Sequence, residues 1–137
     1  MTATPTRSLL VADADTFVGR LVRRMFEDAS WTVTVASSRE SAIAALNERR
    51  FDRLLINCYP PTIQGLGVLA ARPGTLNATT PAGVLAGPAM SEIAEAKRLG
   101  AAWVREFAEF RNREELFHAL TDPDAMGSHQ PALEPDS

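Results

Sequence analysis

Short apolar runs alternate along the chain with amphipathic stretches. Residues 8–12 are apolar and flanked by polar residues, the pattern of a strand buried on both faces. Asp15 follows, where its side chain can accept from the free amides of a first helical turn. Phe17, Leu21 and Met25, with Val18 and Val22, then form an apolar stripe at helical spacing. Thr32 to Ala36 is β-branched and strand-like. Ser37-Ser38-Arg39-Glu40 predicts a capping box before a second helix carrying Ala42, Ile43, Ala45 and Leu46. A third strand is expected over 53–57, then a Tyr59-Pro60-Pro61 turn and a short helix from Leu66 to Ala71 that Pro73-Gly74 must end.

The second half repeats the alternation. A strand from Ala82 to Ala86 precedes Gly87-Pro88, and a helix from about Ser91 to Leu99 ends at Gly100, a residue suited to the left-handed cap. Trp103-Val104 makes a brief fifth strand. Asn112 is placed to cap a last helix with Glu115 at its third position and Leu116, Phe117 and Leu120 on one face. Five strands alternating with five helices predict βα units and hence an α/β fold, a doubly wound parallel sheet with helices on both faces. The expected layout is one domain over residues 1–120, its core beginning near residue 7. The segment 121–137 is rich in Pro, Asp and Ser and poor in apolar residues, which predicts a disordered tail.

Composition narrows the function classes. A formal charge of -3 argues against a general binder of nucleic acid or membrane surfaces, which needs clustered Lys and Arg. The doublets Arg23-Arg24 and Arg49-Arg50 read as solvated helix faces. Neither an apolar run long enough to span a membrane nor a secretory signal is evident, so a cytoplasmic location is expected. The single Cys58 has no internal partner, fits a reducing compartment and reads as a small residue packed beside a loop. His118 falls on the last helix and His129 in the tail, and no Ser/His/Asp or Cys/His constellation, Walker loop or dinucleotide pattern appears.

In an open parallel sheet, chemistry sits outside the carboxyl ends of the strands, near the point where strand order switches. Asp13, Asn57 and Ala86 end the first, third and fourth strands and should converge there. Leu54-Leu55-Ile56 thus delivers one polar side chain, an amide, to the loop. The plain structural expectation is that Asn57 is buried and bonded to loop backbone, and that Asp13 is a carboxylate solvated in a shallow cleft.

These residues, with the spacing from Asn57 through Pro61 to Gly65, Thr80-Pro81 entering the fourth strand and Gly100-Ala101 ahead of the fifth, carry a resemblance. Over residues 7–120 the chain resembles the receiver domain of bacterial two-component response regulators, a CheY-like, flavodoxin-like fold with strand order 2-1-3-4-5. The resemblance implies autocatalysed transfer of a phosphoryl group to an aspartate, helped by Mg²⁺ between acidic residues, by a hydroxyl and by a lysine. This sequence departs from that pattern. Asp13 matches the first acid, but Ala14 stands at the second, Asn57 at the phosphoacceptor and Ala86 at the hydroxyl. The connection from Gly100 to Phe107 is about two residues short and holds no lysine, Arg105 being its only cation.

The resemblance and its departures imply a pseudo-receiver: not an enzyme, without metal or cofactor, a stand-alone module that binds proteins in signal transduction independently of phosphorylation. Two alternatives stand beside it. The altered pocket binds a small molecule or anion in room left by Ala14 and Ala86, or a phosphoryl group is accepted at an unconventional residue. The resemblance also places docking on the fourth helix, fifth strand and fifth helix, through Trp103, Arg105, Phe107, Phe110 and Arg113. The partner would be another signalling protein or a second copy. Trp103 and Phe107 read equally well as residues that pack the fifth helix onto the sheet.

Overall fold

In the computed structural model, which describes residues 7–58, 65–86 and 93–121, five strands pair into one sheet. They are β1 (Ser8–Ala12), β2 (Thr32–Ala36), β3 (Arg53–Asn57), β4 (Ala82–Leu85) and β5 (Trp103–Arg105). Five helices alternate with them: α1 (Phe17–Asp28), α2 (Arg39–Glu48), α3 (Gly65–Ala71), α4 (Ile93–Arg98) and α5 (Arg113–Thr121). All pairings are parallel, in the order β2-β1-β3-β4-β5. The alternation of apolar runs and amphipathic stretches is therefore the doubly wound sheet it predicted. Thr121 closes α5 rather than opening the tail. The Tyr59-Pro60-Pro61 turn, Gly87-Pro88, the helix start at Ser91 and residues 122–137 lie outside the described residues.

The sheet is covered on both faces, which is why its strands are apolar throughout. On one face Leu10, Leu54, Ile56 and Val84 meet Ala42 and Leu46 of α2, Val68 and Leu69 of α3, and Ala96 of α4. On the other, Leu9, Val11, Leu55 and Leu85 meet Val22 and Phe26 of α1 and Leu116, Ala119 and Leu120 of α5. The α1 stripe is rotated from the expected one: Gly19, Val22 and Phe26 are buried, whereas Phe17 is 66 % exposed. Phe26 takes over as anchor, edge-on to Trp31 at 5.0 Å and against Phe117 at 4.6 Å.

Two caps also shift by one residue. Asp15 is exposed with φ 62, a left-handed turn that hands the cap to Thr16, whose hydroxyl accepts from the Gly19 amide at 3.3 Å. Ser38, not Ser37, caps α2, and its reciprocal partner is Ser41 rather than Glu40. Gly100 has φ 94, as the end of α4 required. Asn112 accepts from the Glu115 amide at 2.9 Å, and Glu115 accepts in turn from the Arg111 amide at 2.9 Å. The Arg111 amide and then its guanidinium, both donating to the Glu115 carboxylate, lower that carboxyl's pKa from its ordinary value.

The far end of the sheet is tied by two buried polar residues that sequence patterning did not mark. Asn77, 0 % exposed, donates to the carbonyls of Leu46 at 2.9 Å and Arg49 at 2.8 Å, and accepts from the Phe51 amide at 2.8 Å and the Thr80 hydroxyl at 2.9 Å. It thereby joins the end of α2, the approach to β3 and the approach to β4. Arg72, in the 3₁₀ turn after α3, donates to the carbonyls of Thr80 at 2.8 Å, Ala78 at 3.2 Å and Gly100 at 3.2 Å. Replacing Asn77 by Ala leaves several buried groups unmatched at once, each costing about 1–3 kcal/mol, so thermal unfolding of Asn77→Ala should show a loss of about 3 kcal/mol or more. A loss of less than about 1 kcal/mol would show that water replaces the amide freely.

Candidate functional site

Register brings the candidate site together. Ala12 pairs with Ile56, so the next residues of the two strands, Asp13 and Asn57, emerge side by side at the carboxyl end of the sheet. Both are buried, at 0 % and 3 % exposed. The Asn57 Nδ2 donates to Asp13 Oδ1 at 2.6 Å and to the Thr16 hydroxyl oxygen at 3.3 Å. The Thr16 hydroxyl donates to the same Asp13 Oδ1 at 2.8 Å, and the Thr16 amide donates to Asp13 Oδ2 at 2.6 Å. The amide orientation follows from chemistry: turned the other way, Asn57 would set a carbonyl oxygen against a carboxylate.

The first turn of α1 reaches this carboxylate because residue 19 has no side chain. A Cβ on Gly19 would stand 2.1 Å from Asp13 Oδ2. Thr16 and Gly19 are therefore part of the site, and neither stood out in the sequence. The signal was there, in an Asp followed three residues later by a hydroxyl residue at the helix boundary. Asp13 is not the solvated carboxylate that was expected. It is a buried charge stabilised by three donors, two of them from the residue that caps α1. Asn57 is buried as expected, and its amide nitrogen donates to a carboxylate and to a hydroxyl.

This donor set does not fit a hard divalent cation. Mg²⁺ takes oxygen ligands in near-octahedral geometry. Both Asp13 oxygens already accept from protein donors, and Asn57 points its NH₂ group at Asp13. Ala14 carries no ligand and packs against the core beneath α2, α3 and α4. Among the described residues no group of three or more His, Cys, Asp or Glu is placed to hold a metal ion. Ala86 is 1 % exposed and its amide donates to the Arg105 carbonyl at 2.9 Å, so it brings no hydroxyl to the site.

Arg105 shares a sheet face with Asn57, since each pairs in register with Leu85. Its guanidinium forms an ion pair with Glu109 and lies 4.9 Å over the Phe110 ring. Trp103 is removed from the candidate docking surface, being only 3 % exposed. Its ring fills the space over Gly83, where a Cβ would come within 2.2 Å, and its Nε1 donates to the Ala119 carbonyl at 3.3 Å. Phe107 and Phe110 are half-buried, the latter edge-on to Trp103 at 5.6 Å, and Arg113 is exposed. Cys58 is buried beside Gly65, as a small packing residue should be.

The fold is similar to that of solved response-regulator receivers. A response regulator from Burkholderia pseudomallei, determined with a phosphorylated aspartic acid, calcium ion and citrate, superposes with a TM-score of 0.75 at 20% identity, over 94% of this chain and 75% of its own. A CheY-like receiver domain from Methanospirillum hungatei gives 0.75 at 16% identity, over 92% and 99%. The chemotaxis response regulator CheY4 of Vibrio cholerae gives 0.71 at 22% identity, over 84% and 96%. The chain has the CheY-like receiver fold. No family model matches it, and no curated protein matches it in sequence.

The closed site predicts how a restored acid behaves. In Asn57→Asp, two carboxylates would meet where an amide now donates at 2.6 Å, and they must share a proton to regain the bond. The folded variant then holds a proton that the unfolded chain releases at neutral pH, so its stability falls as pH rises and returns as pH falls. Asn57→Asp should lose about 2–4 kcal/mol at pH 7, with the gap to the native protein narrowing towards about pH 4. Parallel pH-dependent melts of the two proteins check this, and equal stability at neutral pH would refute it.

Proposed function

We propose that this protein is a pseudo-receiver, a module of two-component signalling that works by binding another protein and not by phosphoryl transfer. The Asp13–Asn57 bond of 2.6 Å carries the reading. A receiver that accepts phosphate needs an anionic oxygen to attack phosphorus and a cation to neutralise the incoming charge. Here the attacking position is a neutral amide, and the first acid is spent on that amide and on the α1 cap. Ala14 and Ala86 add neither ligand nor donor. In this reading the pocket does not switch, and the surfaces it would have switched keep one shape.

The protein-binding surface in this reading is the face of β5 and the turn after it, where Phe107 and Phe110 are half-buried and Arg105 stacks on Phe110. Aromatic rings and arginines are the groups that dominate binding at protein interfaces. Trp103 supports this face from beneath and does not contribute contact area.

Incubation with Mg²⁺ and a small acyl phosphate, read by intact mass, tests the proposal. No phosphoryl adduct is expected at any time point. A single adduct mapped to the residues around Asp13 and Asn57 would overturn the reading in favour of phosphorylation at an unconventional residue.

A further inference from the structure

A groove of about 470 Å³ runs between the second half of α1 and the first half of α5. Met25, Ala29 and Phe117 supply its apolar lining, and Arg24, Asp28, Arg113 and Glu114 its charged rim. None of these four charges belongs to an ion pair among the described residues, although Arg23–Glu27 and Arg111–Glu115 pair close by. Two arginines and two carboxylates balance on the rim, which His118 also lines, so a second copy of the same face meets no net repulsion among these four charges.

The same helix carries a knob to match. Phe17 opens α1 and is 66 % exposed, one of only two large apolar side chains among the described residues that stand out in this way. Phe17 and Asp28 are eleven residues apart, three turns of helix, so they lie on one line of the α1 surface about 16 Å from each other. Arg24 lies on that line between them. A two-fold axis across its midpoint sets two α1 helices antiparallel and brings Phe17 of each copy opposite Asp28 and Ala29 of the other. We infer that the protein forms a homodimer through this α1–α5 face, each Phe17 ring seated in the partner's groove.

A second copy is the occupant because knob and groove sit on one chain, on one helix line, at a spacing a single two-fold satisfies. Such a contact is isologous and closes at two copies. It uses neither the Asp13–Asn57 site nor the Phe107–Phe110 face, and so stands whether or not the proposed function does.

Sedimentation equilibrium of the full chain from about 1 µM to about 500 µM tests it. The mass should rise with concentration from the 14.8 kDa of one chain to that of two, and no further. Phe17→Glu should weaken the dimer about tenfold or more with an unchanged circular dichroism spectrum and melting temperature, as its exposure allows. Mixing F17C chains with A29C chains under mild oxidation should give a cross-linked heterodimer, since the native Cys58 is buried. A protein that stays monomeric throughout overturns the inference. So does a dimer that Phe17→Glu leaves intact and Phe110→Ala abolishes, which would place the contact on the other face.

Discussion

The buried carboxylate of Asp13 is the constraint around which the carboxyl end of the sheet is arranged. A charge at 0 % exposure must be met by donors, and the chain meets it with the Thr16 amide, the Thr16 hydroxyl and the Asn57 amide nitrogen. Each donor has a structural consequence. Thr16 can reach the carboxylate only if α1 begins at Phe17 and Asp15 turns through a positive φ. The helix can come that close only because residue 19 is glycine. Asn57 can donate only because it is an amide. A carboxylate at position 57 could keep that bond only by sharing a proton with Asp13.

The opposite end of the sheet is held by the same kind of economy. Asn77 uses both donors and its acceptor oxygen, and Arg72 bridges the 3₁₀ turn after α3 to the start of β4 and to Gly100. Trp103 completes the frame by filling the space over Gly83 and reaching α5 through its indole N–H. Asp13, Asn77 and Arg72 thus tie the two ends of the sheet through side-chain hydrogen bonds made inside the protein.

In the proposed reading function passes to surfaces, and the two faces differ in kind. The face around Phe107 and Phe110 is half-buried, with its arginine already paired to Glu109. The α1–α5 face has four charges outside any ion pair among the described residues, an apolar groove and an exposed phenylalanine. A module that docks a different protein on the first and its own copy on the second would present two partner sites about a two-fold axis.

The pattern of residues along the chain by itself determined the number, kind and order of the elements, because burial on both faces demands apolar strands and each covering helix demands a stripe. It also placed Gly100 and Asn112 at their caps, where local backbone chemistry decides, and marked position 57 as an amide at a strand end. What the sequence could not decide were features that depend on where a helix sits once packed. The rotation that buries Phe26 and leaves Phe17 exposed and the burial of Trp103 over Gly83 each follow from contacts between distant segments. Asp13 is the clearest case. Whether a carboxylate at a strand end is solvated, binds a metal or closes on its neighbours depends on donors from two places in the chain: Thr16 lies three residues on, but only the tertiary structure brings Asn57 to it.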